Sequence, residues 1–405
     1  MSTPPIHPDY PPGAAVAPDD EAFWRAVRAQ YAPSPDFINL ENGYFGMPAR
    51  PVRAALRRWQ DEVDAEGAYF LRERLPALMP RVMGALAAFT GAGPDELLVT
   101  RSAVESLNVL LQGYPFAPGD EVVLARHDYD SALDTVQMLA ARKGIVPVYV
   151  DVPLDPAGDD EVVARYDAAI GPRTRALLAT HIVHRSGQVL PVARIAAMAR
   201  ARGVDCIVDG AHSLAQLDYR VPQLGAQFAA FNLHKWVGAP LGTGLLYIAR
   251  ERIADIAPLY GDVGHAPGDI WKLAHVGAVP PAPILAVEEA LAFHHAVGAA
   301  NKEARLRWLG SYWLDRVRDV PGVRLFSPRD ARRRCAIASF GIAGMAAHDV
   351  AARLMAAHRI YTVVRRLGED DVVRVTPHLY TTPAELDALV AAIRALAASA
   401  CAPSA

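Results

Sequence analysis

Two residues near the middle of the chain, Asp209 and Lys235, are of types that do chemistry when a fold buries them. Asp209 closes the apolar run Cys206-Ile207-Val208 and is followed by Gly210-Ala211-His212. A carboxylate at the carboxyl end of a central strand faces the crevice where open α/β sheets bind ligands, although a strand-end Asp also caps the loop that follows. Lys235 follows a second apolar run in Phe231-Asn232-Leu233-His234-Lys235-Trp236. Desolvation there lowers the lysine pKa and makes the amine an imine-forming nucleophile; the alternative is a lysine that snorkels to water. Asn232 and His234 bring polar groups to the same spot. Pro240-Leu241-Gly242-Thr243-Gly244 adds a turn where backbone can approach another molecule closely.

Other candidates lie on either side. Ser102 and Glu105 form a capping-box pattern ahead of Leu107-Asn108-Val109-Leu110. The free N–H groups at Ser102-Ala103-Val104 then make either an anion site or a plain helix cap. Tyr129 stands at the start of another helical run, as a packing residue or as a ring offered to a ligand. His181 and His184 invite a metal reading, but zinc needs three or four ligands and no Cys or HExxH partner is evident. His294 and His295 read as helix residues without function. Arg374 sits on a late strand, and its planar fork suits a carboxylate. Arg365 and Arg366 either bind a second acidic group or lie on a solvated loop.

The elements that must position these residues are legible as pattern. Leu97–Thr100, Glu121–Ala125, Val146–Val150, Ala176–His181, Cys206–Asp209, Phe228–Asn232 and Gly244–Ala249 read as strands. Helical stretches at Ser102–Gln112, Ser131–Lys143 and Val192–Arg202 alternate with them. This predicts an α/β fold with a mostly parallel seven-stranded sheet and helices on both faces. Beyond a Pro-broken segment, helices near Ile284–Val297, Lys302–Val320, Ala347–His358 and Pro383–Ala398 join four short strand patterns in a small C-terminal α+β domain. The division expected is an N-terminal arm over 1–36, a large domain over 37–280 and a small domain over 281–405.

Composition sets the outer bounds. The 405 residues carry 41 Lys+Arg against 44 Asp+Glu, a formal charge of −3, which argues against an electrostatic nucleic-acid binder. With 52% apolar residues, a chain of this length buries its core without disulfide or metal. The three cysteines Cys206, Cys335 and Cys401 form no disulfide framework and suit a reducing compartment. No basic n-region with an apolar core opens the chain, and no run of about 18 apolar residues occurs, so a cytoplasmic protein without a membrane span is expected.

The motifs DGAHS at 209–213, NLHKW at 232–236 and APLGTG at 239–244 resemble those of pyridoxal-phosphate enzymes of fold type I, in the class V aminotransferase group. That group includes cysteine desulfurases and isopenicillin N epimerase-like proteins. Phe37-Ile38-Asn39-Leu40-Glu41-Asn42-Gly43, with Tyr44-Phe45-Gly46-Met47-Pro48, resembles the family's opening strand and glycine turn. Arg374-Val375-Thr376-Pro377-His378-Leu379-Tyr380 resembles its closing R-x-S-x-x-x-Y segment. These five motifs, in order, span nearly the whole chain.

The resemblance implies pyridoxal 5'-phosphate as cofactor, held as a Schiff base by Lys235. It implies Asp209 on the pyridine nitrogen, His212 near the phenolic oxygen and Tyr129 stacked on the ring. Ser102, Ala103, Val104, Asn232 and His234 would lie on the phosphate side, His184 beside the cofactor or substrate, and Arg374 on the substrate α-carboxylate. Val104 and Ala278 stand where relatives carry hydroxyls, which shifts phosphate binding toward backbone N–H groups. A homodimer with its active site at the subunit interface, and an amino-acid-type substrate, are implied too. The expected chemistry is at Cα, epimerase-like or aminotransferase-like; the rivals are a C–S or C–C lyase and a binding protein that has lost catalysis. The loop before Arg374 has no cysteine, which disfavours a desulfurase.

Overall fold

A computed structural model describes residues 6, 10–11 and 13–401. Its large sheet contains β2 (Leu97–Thr100), β3 (Glu121–Ala125), β4 (Val146–Val150), β5 (Thr174–Thr180), β6 (Asp205–Asp209), β7 (Phe228–Asn232) and β8 (Gly244–Ile248). The order is β2-β8-β7-β6-β5-β3-β4, parallel except that β8 runs antiparallel to both neighbours. All seven expected strands are present.

Their alternation builds two cores. Val123, Leu177, Cys206, Val208 and Phe231 face one core, while Val122, Leu124, Leu178, Ile207 and Phe228 face the other. The first core is covered by α2 (Arg50–Glu66), α3 (Leu75–Thr90), α7 (Val192–Ala201), α8 (Pro281–Leu285) and α9 (Val287–Val297). The second is covered by α4 (Ala103–Gly113) and α5 (Asp130–Lys143). Burial on both faces is why these strands read as near-continuous apolar runs. A further helix, α6 (Asp159–Ala169), packs beside α7.

A third core belongs to the C-terminal unit. Its four-stranded antiparallel sheet has the order β12 (Val363–Leu367), β13 (Asp370–Val375), β10 (Ala338–Ile342), β9 (Val323–Leu325). Leu309 and Trp313 of α10 (Ala299–Val317), Val350 of α11 (Ala347–His358) and Leu386 of α12 (Pro383–Cys401) fill it.

The contacts cut across the expected divisions in three places. β1 (Ile38–Asn39) pairs with β11 (Ile360–Tyr361), and Leu40 joins the third core, so the opening strand crosses to the small unit. Helices α8 and α9, placed by sequence in the small domain, bury their apolar faces in the first core. The expected arm contains α1 (Glu21–Ala29), capped by Asp20 and anchored by buried Phe23, Trp24 and Val27; only part of the arm lies among the described residues. No helix among them is long and apolar enough to cross a membrane.

Candidate active site

One edge of the large sheet gathers the strand ends. β6 ends at Asp209 and β7 at Asn232, while the antiparallel β8 starts there, with Gly244 registered against both Asn232 and Thr100. A Cβ on Gly244 would lie 2.6 Å from the Cα of Ser102, so only glycine lets the N-terminus of α4 come this close.

Lys235 follows directly, and its backbone is clamped. The Gly46 N–H donates to the His234 carbonyl at 3.0 Å. A Cβ on Gly46 would lie 2.0 Å from the Lys235 oxygen. Buried Lys302 donates to the Trp236 carbonyl, and the Trp236 ring stacks on His378 at 5.3 Å. The Lys235 Nζ lies 3.0 Å from His212 Nε2, and Trp236 Nε1 donates to His212 Nδ1 at 3.2 Å. An indole N–H only donates, so His212 Nδ1 carries a lone pair. Burial, then the Lys235 charge, holds the imidazole pKa well below its ordinary value. The ring is therefore neutral with its proton on Nε2, placed to donate to the free-amine form of Lys235. In agreement, burial and then Arg374 bring the Lys235 pKa down to about 7, against the opposing pull of Asp209 and Glu41.

Asp209 is 4% exposed and accepts from the Ala211 N–H at 2.9 Å. Burial raises its pKa, countered by that N–H and by Lys235. It has no ion-pair partner among the described residues. In the next strand Thr180 is registered against it and donates to Asp128 Oδ1 at 2.6 Å. The Ala125 N–H donates to Asp128 Oδ2 at 2.8 Å, and burial pushes the Asp128 pKa up to about 7. Arg185 binds the His127 and Asp128 carbonyls at 3.2 Å and pairs with Asp130. Together Asp128 and Arg185 fix the turn that presents Tyr129, whose ring stands edge-on to His184 at 5.0 Å.

His184 is buried with both ring nitrogens unpartnered. Burial, then Arg185, keeps its pKa well below the ordinary value. The His181 ring packs instead on Tyr219. Among the described residues no group of three His, Cys, Asp or Glu side chains that could hold a metal ion occurs.

The helix terminus is more committed than its sequence implies. Ser102 Oγ accepts from the Glu105 N–H at 3.2 Å, but Glu105 turns to Arg101 instead of completing the capping box. Asn232 Oδ1 accepts from the Ala103 N–H at 2.8 Å, so Asn232 ties β7 to α4. His234 Nδ1 donates to the Thr243 carbonyl at 2.7 Å, and burial lowers its pKa to about 4. The half-buried Val104 N–H is left without a protein acceptor among the described residues. Ala278 is exposed.

Arg374 reaches the site from the small sheet. It pairs with Glu41 and donates to the His184 carbonyl at 2.9 Å. Val363 is its cross-strand partner, so Arg365, two residues on, shares its sheet face. Arg366 points the other way and pairs with Asp371.

Glu41, Asp128 and Trp236 also build the site although the sequence alone points to no role for them; Glu41 and Trp236 lie within the quoted motifs and Asp128 precedes Tyr129. The signal was the motif itself: an acid two residues before the Gly43 turn, an acid before Tyr129 and a ring donor after Lys235.

This chain belongs to the aminotransferase class-V family, whose pattern matches residues 56–389. It is 27% identical over 392 residues to an isopenicillin N epimerase of Streptomyces clavuligerus, covering 93% of this chain and 98% of that one. A probable cysteine desulfurase of Mycolicibacterium paratuberculosis is 28% identical over 334 residues, or 77% of this chain and 48% of the relative. In fold it is similar to a cysteine desulfurase of Thermococcus onnurineus NA1 (TM-score 0.84, 21% identical, 96% of this chain and 100% of that one).

Pyridoxal 5'-phosphate is the cofactor of this family, and the residues present fit it. Asp209 is a buried carboxylate lacking a cation, which a protonated pyridine nitrogen supplies. His184 is a buried ring lacking hydrogen-bond partners. The Val104 N–H is a free donor at a helix N-terminus, suited to phosphate. Lys235 is a buried amine whose pKa is brought down to about 7.

Proposed function

We propose that the protein is a pyridoxal-phosphate enzyme that breaks the Cα–H bond of an amino acid or amino-acid derivative and inverts that centre. The observation that carries the reading is the Lys235–His212–Trp236 chain of hydrogen bonds facing buried Asp209. Bound pyridoxal phosphate supplies an electron sink for the pair released at Cα. Lys235 Nζ would hold the cofactor covalently and, as a free amine, is the base that would take the Cα proton. His212 orients that amine through its Nε2 proton. Asp209 keeps the pyridine nitrogen protonated, and Tyr129 covers the ring, held by the Asp128–Thr180 and Arg185 contacts. Ser102, Ala103, Asn232 and His234 shape the phosphate cup around the Val104 N–H. Arg374 faces the substrate's carboxyl-derived group.

Inversion is favoured over sulfur transfer by the chain's own residues. The turn between β12 and β13 holds Gly368 and Glu369, with no thiol to act as a sulfur acceptor. Cys206 and Cys335 are fully buried, and burial pushes both thiols up to about 12. A cytoplasmic homodimer is part of the reading. Exposed Leu241, Leu259, Tyr260 and Val263 supply apolar surface, and Tyr260 lies against Arg101 beside the phosphate cup.

Borohydride reduction of the purified holoenzyme should fix the cofactor to the Lys235 peptide, read by mass spectrometry. In D₂O, the true substrate should gain Cα deuterium and emerge as the opposite enantiomer. A colourless protein that takes up no added pyridoxal phosphate would sink the enzyme reading. Sulfide or persulfide release would replace inversion with C–S cleavage.

A further inference from the structure

The guanidinium groups around the site are matched to acids, with one exception. Arg374 pairs with Glu41, Arg185 with Asp130 and Arg366 with Asp371. Arg365 pairs with no carboxylate among the described residues. Its guanidinium makes one hydrogen bond, from a terminal nitrogen to the Val364 carbonyl at 3.4 Å. That leaves Nε and the second terminal nitrogen of a rigid five-donor fork uncommitted.

The small sheet aims this fork at the site. β12 and β13 are antiparallel, with Val363 opposite Arg374 and Arg365 opposite Val372. Side chains alternate in facing along a strand, so Arg365 lies on the Arg374 face and Arg366 on the other. Diagonal neighbours of this kind sit about 7–8 Å apart at their roots. The Arg365 charge is felt in the site: after burial and the nearer charges, it helps to lower the pKa values of Lys235, His184, His212 and Arg374. Tyr129, edge-on to the His184 whose carbonyl Arg374 binds, is 39% exposed, so this side of the site is open to a ligand. Arg365 is itself half-buried. Its charge is partly stripped of water, and no protein anion offsets that cost.

We propose that Arg365 is a specificity-determining residue that binds a carboxylate on the substrate's side chain, beyond the α-carboxyl-derived group that Arg374 faces. The enzyme then acts on acidic amino acids, or on derivatives with a second carboxylate, in preference to neutral ones. Two parallel N–H contacts from the planar fork match such a group. This rests on the reading of the site as one that takes an amine at Cα beside Arg374.

The test uses holoenzyme already shown to carry cofactor on Lys235, so failure of the cofactor reading is seen first and separately. Aspartate, glutamate and the next straight-chain homologue, each beside its side-chain amide and in both enantiomers, are titrated against the visible absorbance of the bound cofactor. In the wild type at least one acid should bind about 10- to 100-fold more tightly than its amide, as expected of a charged hydrogen bond. Arg365→Gln should bring that acid down to the affinity of its amide and leave the amide nearly unchanged. Arg365→Lys keeps the charge without the fork and should give an intermediate preference. Arg366→Gln, on the opposite face, should bind as the wild type does. Acids bound no better than amides by the wild type overturn the proposal. So does a preference that survives Arg365→Gln, or an equal loss of acid and amide in that variant. Should Arg365→Gln not fold, the wild-type comparison decides alone. A holoenzyme that binds no member of the panel refutes the amino-acid reading and this proposal with it.

Discussion

The state of Lys235 makes a quantitative prediction. An ordinary lysine with a pKa near 10.5 is unprotonated in about 1 of 3,000 copies at pH 7. With the pKa brought down to about 7, half of the copies carry the free amine at that pH. The gain in reactive amine is therefore about 1,500-fold. The neutral form attacks the aldehyde, so cofactor capture should accelerate as pH rises through about 7 and level off above it. Stopped-flow mixing of apoprotein with pyridoxal phosphate, read by the growing visible absorbance, measures this directly, with Lys235→Arg as the blank. Trp236→Phe gives a sharper test. It keeps a ring stacked on His378 but removes the N–H that fixes the His212 tautomer. The imidazole is then free to present a lone pair to the ammonium form, so the midpoint should move upward. A wild-type rate that climbs steadily toward pH 10 would refute the buried-amine argument. An unmoved midpoint in Trp236→Phe would refute the tautomer assignment alone.

Two further substitutions probe the partners of Lys235. Asp209→Ala should still bind cofactor covalently yet lose most Cα–H exchange, because the pyridine nitrogen loses its carboxylate; near-normal deuterium incorporation would show that Asp209 is not the ring's partner. Asn232→Ala removes the acceptor of the buried Ala103 N–H, which should cost about 1–3 kcal/mol in urea denaturation. It should also weaken cofactor retention by loosening α4 against β7, and an unchanged urea midpoint would contradict the tie.

The large sheet was legible because each strand is buried on both faces and so leaves a short apolar run between helical periods. The same logic exposed Asp209, Asn232 and Lys235, where an apolar run stops at polar residues. Boundaries between the two units were less legible. An amphipathic helix such as α9 advertises an apolar stripe but not its partner, and β1 is two residues long with no pattern of its own. Half of the expected capping box at Ser102 formed, because Arg101 competes for Glu105 with a charge-assisted contact.

The sequence by itself determined the fold class, the strand ends that carry the reactive residues, and the family motifs that contain them. Periodicity and residue type act locally, so a single chain read in order is enough for these. Only the tertiary structure decided the protonation and pairing of those residues. Trp236 sets the proton on His212, Thr180 holds Asp128, and Glu41 neutralises Arg374 from 333 positions away. These are properties of charges and donors brought together in a medium that water does not screen. Distance in sequence carries no trace of them until the chain is folded.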